Sequence, residues 1–460
     1  MGKRSLKYNP HDNFFLRWVS RLDGRNHPHR SLMVIASIVG LFAGAAAALL
    51  KVMINSLTGW LSNIFHVASG PDYWLFLLPI VGILLAGIYQ RYIIRRPIEH
   101  GERRLEASLK QHNYILKPTL IYSPMIASTF TLGFGGSAGS EGPIAYTGAA
   151  IGSNIARAAG LTPKLMRVIV GCGAGAGIAG IFKAPIGGAL FSIEVLGMQL
   201  MTVSVIALFL SCIISAATAY LLSGCTPDIF YAEAVPFEYK VIPWILALGL
   251  FCGFYSLYYK QIMRLLGGWF VNMHNQWIRN ILSGAFIAIC LFLFPSLYGE
   301  GYGIVGHIIN GETEVMLKGS IFDGILSGPT LMLLIVAGTL IMKAVACSST
   351  NNGGGVAGDF APTLFAGCMA GMLFALGCNH FFGVSLSVGN FALIGMAAVM
   401  AGVIEAPLMA IFLVAEMALG YGMFIALLIG AGISYGIVRY FRPRLFKSSS
   451  RPQTPPSSLS

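Results

Sequence analysis

Two blocks of this chain occur twice, in the same order and at nearly the same spacing. AGIFKAPIGGALFSIE (Ala179–Glu194) aligns without a gap on AGVIEAPLMAIFLVAE (Ala401–Glu416), 222 positions later, so that Ala-Gly, Ala-Pro and the closing Glu coincide. Upstream, GSEGPIAYTGAAIG (Gly139–Gly152) aligns on GDFAPTLFAGCMAG (Gly358–Gly371), 219 positions later; both read Gly-x-x-x-Pro, with later glycines at the same two offsets. A chain built this way folds as two related halves, about residues 32–223 and 240–446.

The setting of the repeat decides the solvent. Of the 460 residues 56% are hydrophobic and only 10% charged, whereas soluble domains carry about 25% charged residues. The apolar runs are long and do not alternate, and lipid-exposed backbone must satisfy itself, so the chain is predicted to be all-α and polytopic. Apolar segments fall at about 32–63, 73–94, 119–134, 143–158, 164–182, 185–197, 200–222, 241–266, 278–297, 325–347, 360–378, 389–403, 406–418 and 421–441. Several are shorter than the roughly 20 residues a straight span needs. Short segments interrupted by Gly or Pro in both halves predict helices that break at mid-membrane.

The net charge of +12 gathers at the ends, in Lys3, Arg4, Lys7, Arg17, Arg21, Arg25 and Arg30 and in Arg439, Arg442, Arg444, Lys447 and Arg451. That is the positive-inside pattern and not a nucleic-acid footprint; it predicts both termini in the cytoplasm and an even number of crossings. Halves with an odd number of crossings each would be inverted relative to one another. The basic segment 1–31 precedes the transmembrane domain, 32–446, and a low-complexity tail, 447–460, follows it and is predicted disordered. The first apolar run is too long for a signal peptide. The eight scattered cysteines form no CxxC pair and are expected to serve as small packing residues. The nine histidines show no metal-ligand spacing, and no metal or other cofactor is expected.

Chemistry concentrates in Leu132–Gly152, LGFGGSAGSEGPIAYTGAAIG, whose one carboxylate is Glu141. An ionisable residue inside a membrane is costly and marks a candidate functional site. Both repeated loops are Gly-rich and lead into a Pro suited to a first helical turn. A helix start carries about half a positive charge and unpaired N–H donors. Two such starts meeting near the midplane would bind an anion without a full positive charge, weakly enough for permeation. Equally, these glycines serve close packing of helices. Glu141 has Phe360 as its repeat counterpart, so only one half supplies an ionisable group. Beside an anion site that carboxylate would compete with the anion when ionised and release it when protonated; alternatively it caps a helix start.

GSEGP (Gly139–Pro143), KAPIGGALFSIEV (Lys183–Val195) and GDFAP (Gly358–Pro362) resemble the signature motifs of the CLC family of voltage-gated-type chloride channels and proton–chloride antiporters. The resemblance spans about residues 32–446 and implies two inverted-topology repeats of tilted, broken helices. It also implies a homodimer in the lipid bilayer, with one anion pathway per subunit and chloride as the default substrate. By resemblance Glu141 is the gating glutamate. The anion site is then lined by Gly139, Ser140 and Gly142 of one loop, and by Asp359, Phe360 and Ala361 of the other. A bacterial short form in the inner membrane is expected.

Three departures bear on mechanism. The family's GSGIP motif falls on EHGER (Glu99–Arg103), with His100 at the serine position that faces the anion; His100 could donate a hydrogen bond, or the stretch is a solvated charged segment. The family's internal proton-transfer glutamate falls on Val195, next to Glu194, which favours a passive channel slightly over an antiporter. The family's central tyrosine falls on Phe446, which keeps the ring and loses the hydroxyl.

Other signals are weaker. GGSAG (Gly135–Gly139) fits the G-x-S-x-G of a hydrolase elbow, but no strand-to-helix pattern surrounds it. GAGIAG (Gly175–Gly180) fits G-x-G-x-x-G, and helix packing explains it better. Lys183, Lys343, Glu405 and Glu416 are expected to pair or to sit at interfaces. An intramembrane enzyme using Ser137 and a cation-coupled transporter of another inverted-repeat fold are the competing function classes.

Overall fold

A computed structural model describes residues 28–64, 77–96, 98, 102–111, 113–198, 202–225, 238–316, 328–418 and 420–445. His100, Phe446, most of the basic N-terminal segment and the tail lie outside the described residues. Every named element among the described residues is helical. The first half contains α1 (Pro28–Ile64), α2 (Leu78–Ile88), α3 (Glu102–Gln111), α4 (Ser123–Gly133), α5 (Glu141–Ala158), α6 (Pro163–Phe182), α7 (Pro185–Leu190) and α8 (Thr202–Leu222). The second contains α9 (Ile242–Val271), α10 (Gln276–Leu293), α11 (Tyr302–Ile309), α12 (Pro329–Asn352), α13 (Phe360–Phe382), α14 (Val388–Ile404), α15 (Pro407–Met417) and α16 (Phe424–Leu445). Among the described residues eight helices are long and apolar enough to cross a membrane, and four further apolar stretches are shorter. At 1.5 Å per residue α1 would run roughly 55 Å, more than a bilayer core, so it must tilt.

The repeat is visible in the backbone. α6 ends on Lys183 and α14 on Glu405, both left-handed, at φ 55° and 67°. Ala184 and Ala406 then turn the chain, and Pro185 and Pro407 open α7 and α15, where a missing N–H costs nothing. The opposite charges at Lys183 and Glu405 are incidental to that corner. Lys183 lies over the Tyr220 ring, whereas Glu405 pairs with Lys260 and Arg442.

The closing glutamates of the repeat explain themselves by exchange. The Glu194 carboxylate accepts from the N–H groups of Leu408 and Met409 at the start of α15, at 3.3 and 2.8 Å. The Glu416 carboxylate accepts from those of Ile186 and Gly187 at the start of α7, at 3.0 and 2.8 Å. Each half thus caps a helix of the other at equivalent positions, a pseudo-two-fold relation. It is one of the ties between the two repeats.

The later glycines of the two loops have a packing role. A side chain at Gly148 of α5 would strike the Gly173 carbonyl of α6, and one at Gly367 of α13 would strike the Gly395 carbonyl of α14. These pairs are repeat equivalents, so both halves hold the same close crossing. Seven of the eight cysteines are buried as expected, while Cys225, just past α8, is exposed.

Candidate functional site

The loops before α5 and α13 are tied to each other. Gly139 N–H donates to the Gly358 carbonyl at 3.0 Å, and Gly358 N–H to the Gly139 carbonyl at 2.6 Å, an antiparallel bridge between equivalent residues. Ser140 and Asp359 follow as the N-caps, so the two helix starts converge at this bridge. Neither start uses its own cap side chain. Their donors remain available to something else.

Glu141 is fully buried there. Its Oε1 accepts a hydrogen bond from the Tyr302 hydroxyl at 2.7 Å. The N–H groups of Glu141 itself and of Ala361, in the first turn of α13, also face the carboxylate. Its Oε2 has no hydrogen-bond partner among the described residues, so Glu141 stands at the two helix starts without capping either. Glycine at 139 leaves room for the Glu141 carboxylate, which a side chain there would displace. Phe360, its repeat counterpart, is also fully buried and turns edge-on to Phe191, with ring centroids 5.6 Å apart.

The structure brings Gly139, Ser140, Glu141, Gly142, Asp359, Phe360 and Ala361 together at one bridge. Two of them are engaged in ways the sequence did not suggest. The Ser140 N–H donates to Glu300 Oε1 at 2.8 Å. Asp359 Oδ1 accepts from the Asn351 side-chain amide at 2.5 Å and from the Cys347 thiol at 3.5 Å, which turns its carboxylate toward α12.

Two groups escaped the reading of the sequence. Glu300 and Tyr302 come from the turn into α11, an element absent from the apolar segments listed above. Its glycine-flanked lone carboxylate, Gly-Glu-Gly-Tyr-Gly, was the available signal. Gly299 and Gly301 take φ 64° and 87°, and the turn is stitched to the α4–α5 loop by Gly299 N–H to the Gly135 carbonyl at 3.5 Å. Lys343, on α12, is fully buried, donates to Ser137 Oγ at 2.9 Å, and lies 4.6 Å from the Phe365 ring centroid. The loops themselves hold no Lys or Arg, but the fold sets this ammonium against one of them.

A polytopic all-helical protein whose two inverted halves meet at paired helix starts, one carrying a buried carboxylate, is the class that fold and site define. The family model described as voltage gated chloride channel matches residues 81–439, and the chain belongs to that family. The voltage-gated ClC-type chloride channel ClcB of Citrobacter koseri is 26% identical over 432 residues, 89% of this chain and 96% of that one. The H(+)/Cl(-) exchange transporter ClcA of Yersinia pestis is 26% identical over 426 residues, 90% of this chain and 85% of that one. Among solved structures, a slow cyanobacterial Cl-/H+ antiporter superposes with a TM-score of 0.75 at 22% identity, covering 92% of this chain and 100% of its own. A CLC-type fluoride/proton antiporter superposes with a TM-score of 0.69 at 19% identity, covering 89% and 96%.

Proposed function

We propose that this chain moves chloride or a similar small anion across a membrane, along a path between the starts of α5 and α13, with Glu141 as the gate. One observation carries the proposal: the fully buried Glu141 carboxylate stands beside helix-start N–H groups that would otherwise face an anion, with its Oε2 unpartnered. Ionised, Glu141 competes with the anion for them; protonated, it gives them up. No cofactor takes part, and chloride is the substrate. The relatives named ClcB and ClcA, one a channel and one an exchanger, support anion transport and leave both modes open. One reading couples anion flux to proton antiport through Glu141. Passive conduction is the second reading, because Val195 stands beside Glu194, and Glu194 is occupied in capping α15.

By the charge at its ends both termini lie in the cytoplasm, and by the family resemblance the chain is a homodimer in a bacterial inner membrane. Thr58, near the far end of α1, donates to the Gly133 carbonyl at 3.4 Å, so in this orientation the gate opens outward. Ser137 and Lys343 have the side-chain types of a serine–lysine hydrolase, but both are fully buried, and Ser137 Oγ serves as an acceptor for the ammonium.

The test uses chloride-loaded liposomes with simultaneous chloride and pH readout. Glu141→Gln should keep chloride flux and abolish chloride-driven proton movement. Proton movement that survives the substitution removes Glu141 from the gate, and a native protein that moves chloride but no protons selects the passive reading.

A further inference from the structure

We infer that Glu300 is a second carboxylate of the gate, standing at the entrance and screening the start of α5 from the incoming anion. The inference rests on the reading of Glu141 above. Glu300 holds the Ser140 N–H, the donor immediately before Glu141. An anion arriving at that helix start meets a negative charge already seated on its first donor. Glu300 is half-buried where Glu141 is fully buried. Two carboxylates against consecutive residues of one helix start repel each other, and each opposes an anion. Loss of the Glu300 charge or its withdrawal from Ser140 lifts that barrier.

The surroundings hold this group in place. The turn is fixed by Gly299 N–H to the Gly135 carbonyl, by Tyr298 Oη to the Gly133 carbonyl at 3.5 Å, and by Tyr302 on Glu141. The charged groups that act on it from neighbouring elements are Glu141 of α5 and Lys343 of α12, while Tyr302 of α11 holds Glu141. Lys51 of α1 lies over Tyr302, 5.5 Å from its ring centroid. Lys343 is fully buried and partly offsets the two carboxylates. Glu300 itself is thus a positioning and screening residue, acting on the anion through charge and through Ser140.

Glu300→Gln keeps an acceptor for Ser140 N–H and removes only the charge. In liposomes it should raise chloride flux at neutral external pH by about fivefold, the order expected for deleting one partly solvated charge a few ångström from the path. In Glu141→Gln, where the inner carboxylate is neutral, Glu300→Gln added to it should raise chloride flux again by a similar factor. Glu300→Asp, which keeps the charge, should keep native flux. If Glu141→Gln behaves as proposed and the added Glu300→Gln leaves its flux unchanged, the assignment of Glu300 fails while that of Glu141 stands. If Glu141→Gln leaves proton movement intact, the underlying reading fails first. Native flux in Glu300→Gln would also overturn the inference.

Discussion

Lys343 is the residue whose neighbourhood is most demanding. An ammonium with three donors is fully buried among helices, and one donor is satisfied by Ser137 Oγ at 2.9 Å while the Phe365 ring offers its face. Removing the acceptor leaves a buried charged donor short of a partner, which costs about 1–3 kcal/mol. Ser137→Ala should therefore lower the thermal midpoint in detergent, and Ser137→Thr, which keeps a hydroxyl, should recover most of the loss. Equal midpoints for all three proteins would remove Ser137 from the support of Lys343. Legibility at this scale followed sequence distance. Glu141 could be picked out because one carboxylate stood in a glycine-rich apolar loop. Lys343 stood out as a buried charge, but its partner lies 206 residues away. Glu300 and Tyr302 were lost in a short turn that no apolar period marks.

At the level of elements, the repeated Ala-Pro corner was readable as a pattern, and its purpose was not. Sequence alone matched Glu194 to Glu416 without indicating that each caps the other half's helix. A carboxylate on two helix-start N–H groups makes charge-assisted hydrogen bonds, and losing such a cap costs about 0.5–2 kcal/mol. Glu194→Ala and Glu416→Ala should lower the thermal midpoint by similar amounts, because the two caps are equivalent. Each Gln variant, keeping one acceptor, should fall in between. A large loss for one and none for the other would show that the two corners do not share the load. The glycine offsets divided in the same way: Gly139 clears room for the Glu141 carboxylate, while Gly148 and Gly367 serve helix crossings. Both uses were open in the sequence, and only contact distances separate them.

For the whole molecule, the scaffold is close to symmetric and the chemistry is not. The bridge at Gly139 and Gly358, the exchanged caps and the glycine crossings all obey the pseudo-two-fold relation. Glu141 breaks it, with Phe360 as its counterpart, and the Glu300–Tyr302 turn adds further ionisable groups on the side of Glu141. Inverted repeats expose equivalent residues to opposite faces of the membrane, so a titratable gate in one repeat is addressed from one face. Acid should then activate flux mainly from the face reached by Glu300 and Tyr302. Phe360, packed on Phe191, offers the other face nothing to titrate. In oriented membrane patches with chloride on both sides, lowering pH on the gate face should raise the current, and the same step on the opposite face should raise it far less. Glu141→Gln should remove most of that difference. Equal activation from both faces in the native protein would mean that a group on the second half titrates, and the asymmetry of Glu141 and Phe360 would no longer account for the gate.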